Sequence, residues 1–301
     1  MVTPANQPSI LQRIASLLGA GPRPRYGRVY CAGAPRTGTH SLAAVFARPV
    51  RSGHEPRLRA AMKELVAHAV GEQSFDGLRA FVRARDARLR LDINSSHVNA
   101  YLAEALVAEF DDARFVLTIR DCYSWLDSAL NHTMNTGSWS EIDRRYLEFW
   151  FGTLSPEYSE HDVFLKEHRL LSVDCYLDAW ARHNQAVLQA VPADRLLVVR
   201  TEEIAERLHD IADFAGISRQ HLARGFRAQG QAKAKHGLLQ RIDRDYLEER
   251  VAARCGEVMR RFFPDATLRS FLNPGCLAGE TAGESCKGWS CATAGAHVDI
   301  S

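Results

Sequence analysis

The segment GAPRTGTHSL, residues 33–42, follows the apolar run VYCA and restricts the fold more than any other stretch of the chain. Glycines at positions 33 and 38 let a backbone close tightly around an anion. With a strand before it and a helix after it, such a turn aims first-turn amides and the positive helix end at the ligand. A nucleoside-triphosphate loop continues from its second glycine with lysine and then with Ser or Thr for magnesium. Thr39 and His40 occupy those places here, and the cation is displaced to Arg36. The planar guanidinium fork suits phosphate or sulfate oxygens. No apolar run ending in a magnesium carboxylate repairs the omission, although Asp92 and Asp121 follow strand-like stretches. The loop therefore reads as a nucleotide cradle without an obligatory metal. A purely structural glycine turn is the plain alternative.

Elements alternate along the chain. RVYCA, residues 28–32, predicts a strand, and a helix is expected to run from the loop through SLAAVFA to a stop at Pro49. Residues 54–70 read as a helix with Pro56 near its first turn, and FDGLRAFVRARD as a further short one. LRLDIN, residues 89–94, alternates like a strand, with residues 99–109 helical after it. RFVLTIR at 114–120 is the clearest buried strand and leads into the helix DCYSWLDSAL. A long helix over 172–190 precedes the core strand LLVVR at 196–200. This order predicts an α/β fold, a P-loop-like parallel sheet flanked by helices. Residues 131–168 break the rhythm with Trp139, Tyr146, Phe149, Trp150, Phe151 and Tyr158, and predict an aromatic-rich, mainly helical cap insertion. Those aromatics serve either a cap core or a ligand.

The length of 301 residues, 46% of them hydrophobic, allows one substantial core. We expect an N-terminal extension over 1–27 with a short amphipathic helix at 9–18. A single α/β domain over 28–270 and a Cys/Gly-rich tail over 271–301 follow. A formal charge of +2 argues against a basic nucleic-acid coat. The chain shows no apolar run of membrane length and no signal peptide, so neither nucleic acid nor stable membrane insertion is expected, and the location expected is cytoplasmic. Cys31, Cys122, Cys175 and Cys255 fall singly in apolar segments and read as reduced core thiols. Cys276, Cys286 and Cys291 match no strong zinc spacing, and no metal site is expected; a disulfide or local clip in the tail stays open.

A second anion motif lies in FVLTIRDCYSWLDSAL. Arg120 ends the strand, and Ser128 follows eight positions later, just over two helical turns on, so both side chains can approach one ligand. The bland alternative pairs Arg120 with Asp121 or Glu109.

Taken in order, these motifs carry a resemblance. PRTGTHSL resembles the 5′-phosphosulfate loop of PAPS-dependent sulfotransferases in its Arg version, and RDCYSWLDS resembles their 3′-phosphate motif. RLLVVRTEEIAERLHDIADFAGI looks like the late strand and helix of that family, so the likeness extends over about residues 28–217. The resemblance implies transfer of a sulfonyl group from 3′-phosphoadenosine 5′-phosphosulfate (PAPS) to a hydroxyl or amine of a small acceptor, apolar or aryl, leaving 3′-phosphoadenosine 5′-phosphate (PAP). It implies cofactor contacts from Arg36, Thr37, Gly38, Thr39, His40, Ser41, Arg120 and Ser128. Lys235 joins them from a basic late segment that also holds Arg227, Lys233 and His236, with Lys233 as its runner-up. For the base, Glu55 in RSGHEP is similarly placed to the catalytic Glu of the protein-tyrosine branch, and His97 in INSSHVNAY to the catalytic His of the cytosolic branch; His54 and His40 also compete. Asp92 either orients a catalytic group or is a surface carboxylate. A bacterial metabolite-modifying enzyme, with a homodimer allowed, is the expectation. A P-loop kinase or nucleotide hydrolase, and a non-catalytic nucleotide-binding module, are the competing accounts.

Overall fold

The computed structural model describes residues 25–134, 140–226 and 235–272. The N-terminal extension before residue 25 and its expected short helix, Trp139, Arg227, Lys233 and the three tail cysteines lie outside them.

Five parallel strands form one sheet in the order β2-β3-β1-β4-β5: β1 Val29–Cys31, β2 Ser52–His54, β3 Ile93–Ser95, β4 Arg114–Ile119 and β5 Leu196–Arg200. The expected α/β class is the observed one. β1 is central, with Tyr30 opposite both Asn94 and Phe115. The chain passes to β3 on one side of it and to β4 on the other. In open parallel sheets ligands bind at such a switch point, outside the carboxyl ends of the strands.

Helices cover both faces. After β1 comes α1 Thr39–Ala43; α2 Leu58–Ala69 and α3 Phe75–Leu89 follow β2, and α4 Asn99–Glu109 follows β3. α5 Cys122–Thr133, α6 Glu141–Phe151, α7 Phe164–Glu167 and α8 Val173–Ala190 connect β4 to β5. α9 Leu208–Ala215, α10 Arg244–Phe262 and α11 Leu268–Leu272 complete the described chain. α8 is the main strut: Trp180, Leu177 and Val187 are fully buried. Each such side chain contributes about 1.5–3 kcal/mol of apolar burial. Cys31, Cys122, Cys175 and Cys255 are buried free thiols.

Three expectations need correction. The helix after the loop stops at Ala43 rather than running to Pro49, because Val45 and Phe46 turn into the core beneath the sheet and residues 45–47 bond back to 221–223. The strand expected at 89–94 is β3, shifted to Ile93–Ser95. Leu89 instead closes α3, with Arg90 as its left-handed cap. Residues 52–54, expected to lie at or before the start of a helix, form the edge strand β2.

Candidate active site

Every strand delivers a polar segment to the same edge of the sheet. The loop after β1 is held open by side chains from other elements that take its carbonyls. His183 Nε2 lies 2.8 Å from Ala32 O, Trp125 Nε1 donates to Pro35 O at 2.8 Å, and Thr201 Oγ1 donates to Thr37 O at 2.9 Å. Asn99 Nδ2 ties Cys31 O to Asn94 O, at 2.9 Å each. Gly33 is required by contact: a Cβ there would stand 1.9 Å from Thr118 Oγ1 and 2.6 Å from Thr118 O. Gly38 has φ +90° and Arg36 φ +73°, both left-handed, a conformation that costs a residue with a Cβ about 1–2 kcal/mol. The first bond of the helix runs from Leu42 N to Gly38 O, so the amides of Thr39 and His40 are not used by α1 itself.

A cavity of about 630 Å³ opens over this loop. Arg36, Gly38, Thr39, His40 and Ser41 line it from the loop side, Arg120 and Ser128 from β4 and α5, Lys235 from the late segment, and Glu55 from the turn after β2. Arg36 Nε donates to Ser128 Oγ at 3.2 Å, and Arg120 Nε to Ser124 Oγ at 2.9 Å. The two sites that the sequence kept separate thus share one cavity. Neither carboxylate weighed as a partner of Arg120 takes it: Asp121 caps α5 through Ser124 N at 3.0 Å, and Glu109 accepts from Arg83 Nη2 at 2.8 Å. Neither Arg36 nor Arg120 has a carboxylate within ion-pair distance among the described residues. Burial and then the neighbouring Arg120 charge push the Arg36 guanidinium below its ordinary range. Two unpaired arginines facing one cavity fit an anion with two charged ends.

Some expected contacts fall elsewhere. Thr37 is fully buried; its hydroxyl donates to Ala34 O at 2.7 Å and its amide bonds to the same carbonyl, so it braces the loop and does not line the cavity. Asp92 is also buried, accepting the amides of Tyr26 at 2.7 Å and Arg51 at 2.8 Å, a structural bridge rather than a ligand group. Lys235 is largely exposed, with Nζ 3.7 Å from Asp127 Oδ2.

A second cavity, about 670 Å³, adjoins the first. Its floor is apolar and largely buried, formed by Met62, Trp125, Ala129, Tyr146, Trp150 and Tyr176. The aromatics of the cap divide their work: Tyr146 and Trp150 line the cavity, whereas Phe149 packs on Tyr101 with ring centroids 4.9 Å apart. Four residues border both cavities: Pro35, Arg36, Glu55 and His132.

The competing bases meet at this junction. His97 Nδ1 lies 2.7 Å from Glu55 Oε1. The two residues are 42 positions apart, and the parallel register that sets His54 against Ser95 brings them to neighbouring strand ends. His97 faces the second cavity, its ring edge-on to Tyr146 and Trp150 at 5.6 and 5.9 Å. Glu55 sits in a tight turn, at φ +49° with Arg57 at φ +53°. The turn is fixed by Glu55 N to Ser95 O at 2.8 Å and by the buried Arg85, which donates to Pro56 O at 3.0 Å. Burial raises the Glu55 carboxyl, but the His97 bond and the charges of His97, His54 and His132 outweigh it, leaving it below its ordinary value. Burial lowers His54, whose Nε2 lies 3.2 Å from Thr39 Oγ1 and whose ring lies 4.9 Å from that of His40.

Sequence reasoning missed Asp127, Asn131, His132 and Thr201, all of which line the first cavity. His132 had a legible signal, being one turn beyond Ser128 on the same helix face. Thr201 follows β5 directly, as Arg120 follows β4.

Among known proteins, the family model described as "Sulfotransferase domain" matches residues 28–213. No curated protein matches the chain. A sulfotransferase from Alicyclobacillus acidocaldarius is 14% identical, with 79% of this chain and 97% of that chain covered and a TM-score of 0.43. The sulfotransferase domain of the Synechococcus PCC 7002 olefin synthase is 15% identical, covering 87% and 98%, with a TM-score of 0.35. The sulfotransferase domain from the curacin biosynthetic pathway is 13% identical, covering 65% and 76%, with a TM-score of 0.32.

Proposed function

Because the chain belongs to the sulfotransferase-domain family, we propose that it transfers a sulfonyl group from PAPS to a hydroxyl of a small, largely apolar acceptor. The observation that carries this reading is the junction: a polar, arginine-lined cavity and an apolar cavity meet at Arg36 and Glu55. Two-ended anion recognition fits Arg36 and Arg120, neither of which has a carboxylate partner among the described residues.

When bound, PAPS supplies the sulfonyl group, its bond to the phosphate oxygen breaking as one to the acceptor oxygen forms. Arg36 and the loop amides oppose the negative charge that builds on the leaving side, which lowers the barrier only insofar as they hold that charge better than the ground state. Ser128 holds the Arg36 fork in place through its hydroxyl. Arg120, with Lys235 at the rim, fixes the remote phosphate. Glu55 takes the acceptor proton, because it alone of the four candidate bases borders both cavities, His54 and His40 lining only the first and His97 only the second. His97 Nδ1 fixes its carboxylate and shares the charge. The apolar floor orients the acceptor and excludes water.

A second reading reverses the pair: Nε2 of His97 has no hydrogen-bond partner among the described residues, and His97 lines the acceptor cavity, so the imidazole takes the proton and Glu55 orients it. The pH dependence of kcat separates the two. A depressed Glu55 must be ionised to act, so its acid limb falls below the ordinary carboxylate range and kcat stays flat from about pH 5 upward. Glu55→Gln then loses about 100-fold or more in kcat while PAP affinity holds. An acid limb that does not lie below the ordinary carboxylate range, with Glu55→Gln retaining most of its rate, assigns the base to His97.

A further inference from the structure

The second cavity carries charge that its apolar floor and the proposed transfer do not use. Three arginines reach its lining from different elements: Arg59 on α2, Arg144 on α6 and Arg169 in the turn before α8. All three are exposed, whereas the aromatic floor is buried, so they mark where the cavity opens to solvent. Arg59 is neutralised, with Nη2 3.0 Å from Asp143 Oδ2. Asp143 is already committed, since it also takes the Ser140 amide at 3.2 Å and the Ser140 hydroxyl at 2.6 Å in the cap of α6. That leaves Arg144 and Arg169, whose guanidinium groups have neither carboxylate nor carbonyl partner among the described residues. Glu148, one turn beyond Arg144 on the same helix, makes no ion pair with it.

A neutral apolar acceptor gains nothing from two unpaired guanidinium groups at its entrance. An anionic one gains charge-assisted bonds and is steered inward. Resting on the reading of this cavity as the acceptor site, we propose that the acceptor is an amphipathic anion. Its hydroxyl sits on an aryl or alkyl body against the aromatic floor. Its carboxylate or phosphate end is held by Arg144 and Arg169. The rim then selects among hydroxyl compounds of equal bulk by their charge.

The test uses the full chain and matched probes: 4-hydroxyphenyl alkanoates of graded chain length, their primary amides and the corresponding phosphates. Binding is read from tryptophan fluorescence with PAP present, since Trp125 and Trp150 line the cavity. Turnover with PAPS is read separately. An anionic end is expected to improve binding and kcat/KM by about tenfold or more at the best length, two rim contacts together. Arg144→Gln with Arg169→Gln should reduce that ratio to about threefold or less. Arg144→Gln alone, on an exposed helix face, should lower it part of the way. The comparison of carboxylate with phosphate identifies the head group. Equal binding of acid and amide, a preference that survives both substitutions, or no binding by any probe overturns the proposal. Transfer to acid and amide alike would overturn the rim and leave the sulfonyl reading standing. A charge preference in binding without any transfer would leave the rim standing and overturn the sulfonyl reading.

Discussion

His183 offers a sharp test of how the loop is held. It lies fully buried in α8, its Nε2 2.8 Å from Ala32 O, the carbonyl just before Gly33. Nδ1 is buried without a partner, which fits a neutral ring donating from Nε2. The ring packs on Trp150 at 4.8 Å and on Tyr101 at 5.6 Å, and His97 acts on it in the same direction as burial. Burial, first of its causes, pushes the imidazole down to about 3. A depressed histidine favours its neutral form in the folded state, so the unfolded chain binds the extra proton. The resulting stability is complete above about pH 6.5 and is lost as pH falls from there toward about 3. From pH 6.5 to pH 5 the loss is about 1.5 units times 1.36 kcal/mol, or roughly 2 kcal/mol. Carboxylates with depressed values act lower, so they contribute little in that interval. His54, also lowered but partly exposed, adds a smaller share of the same sign. His183→Gln keeps a donor toward Ala32 O and removes the titration. Urea unfolding at pH 7.5 and pH 5 should show the wild type losing about 2 kcal/mol more than the variant. Equal losses in the two proteins would refute the assignment of a buried neutral ring.

Two further substitutions address the cradle. Arg120→Ala should weaken PAP binding by roughly 10- to 150-fold, the worth of a charge-assisted bond, and leave Tm almost unchanged because it strands no carboxylate; calorimetry and a thermal melt read both, and unchanged affinity would reject the second anion site. Gly33→Ala places a methyl 1.9 Å from Thr118 Oγ1 and 2.6 Å from a backbone oxygen that cannot rotate away. It should cost about 1–3 kcal/mol and most of the PAP affinity, and a variant with wild-type affinity would show that the loop does not need its close packing.

Legibility in the sequence followed the apolar signal. RFVLTIR and LLVVR are mainly apolar runs, the first buried from Phe115 to Ile119 and the second half-buried around a buried Val199, and both strands lie where expected. SGH carries no such signal, because β2 is an edge strand paired on one side only and half exposed. β3 was misplaced because its own residues are polar. Asn94 and Ser95 are buried with their groups satisfied, Asn94 O by Asn99 and Ser95 Oγ by Thr39 O, so their burial leaves no apolar pattern. In the site, glycines and arginines at fixed offsets were readable since they sit on one loop or helix. The Glu55–His97 bond was not, because it depends on the register of β2 against β3. Thr37 shows the converse limit: a motif position names a residue, but only the fold decides whether its side chain turns toward the cavity or, as here, into the core.

The account stands on transfer chemistry at the junction of the two cavities. Incubating the protein with PAPS and a hydroxyaryl acceptor in the presence of a chelator, beside ATP with magnesium, measures it most directly. Sulfonylated acceptor and PAP should appear in equal amounts with PAPS, and Arg36→Ala should abolish both. Phosphorylated acceptor or hydrolysed ATP, with PAPS left intact, would contradict it.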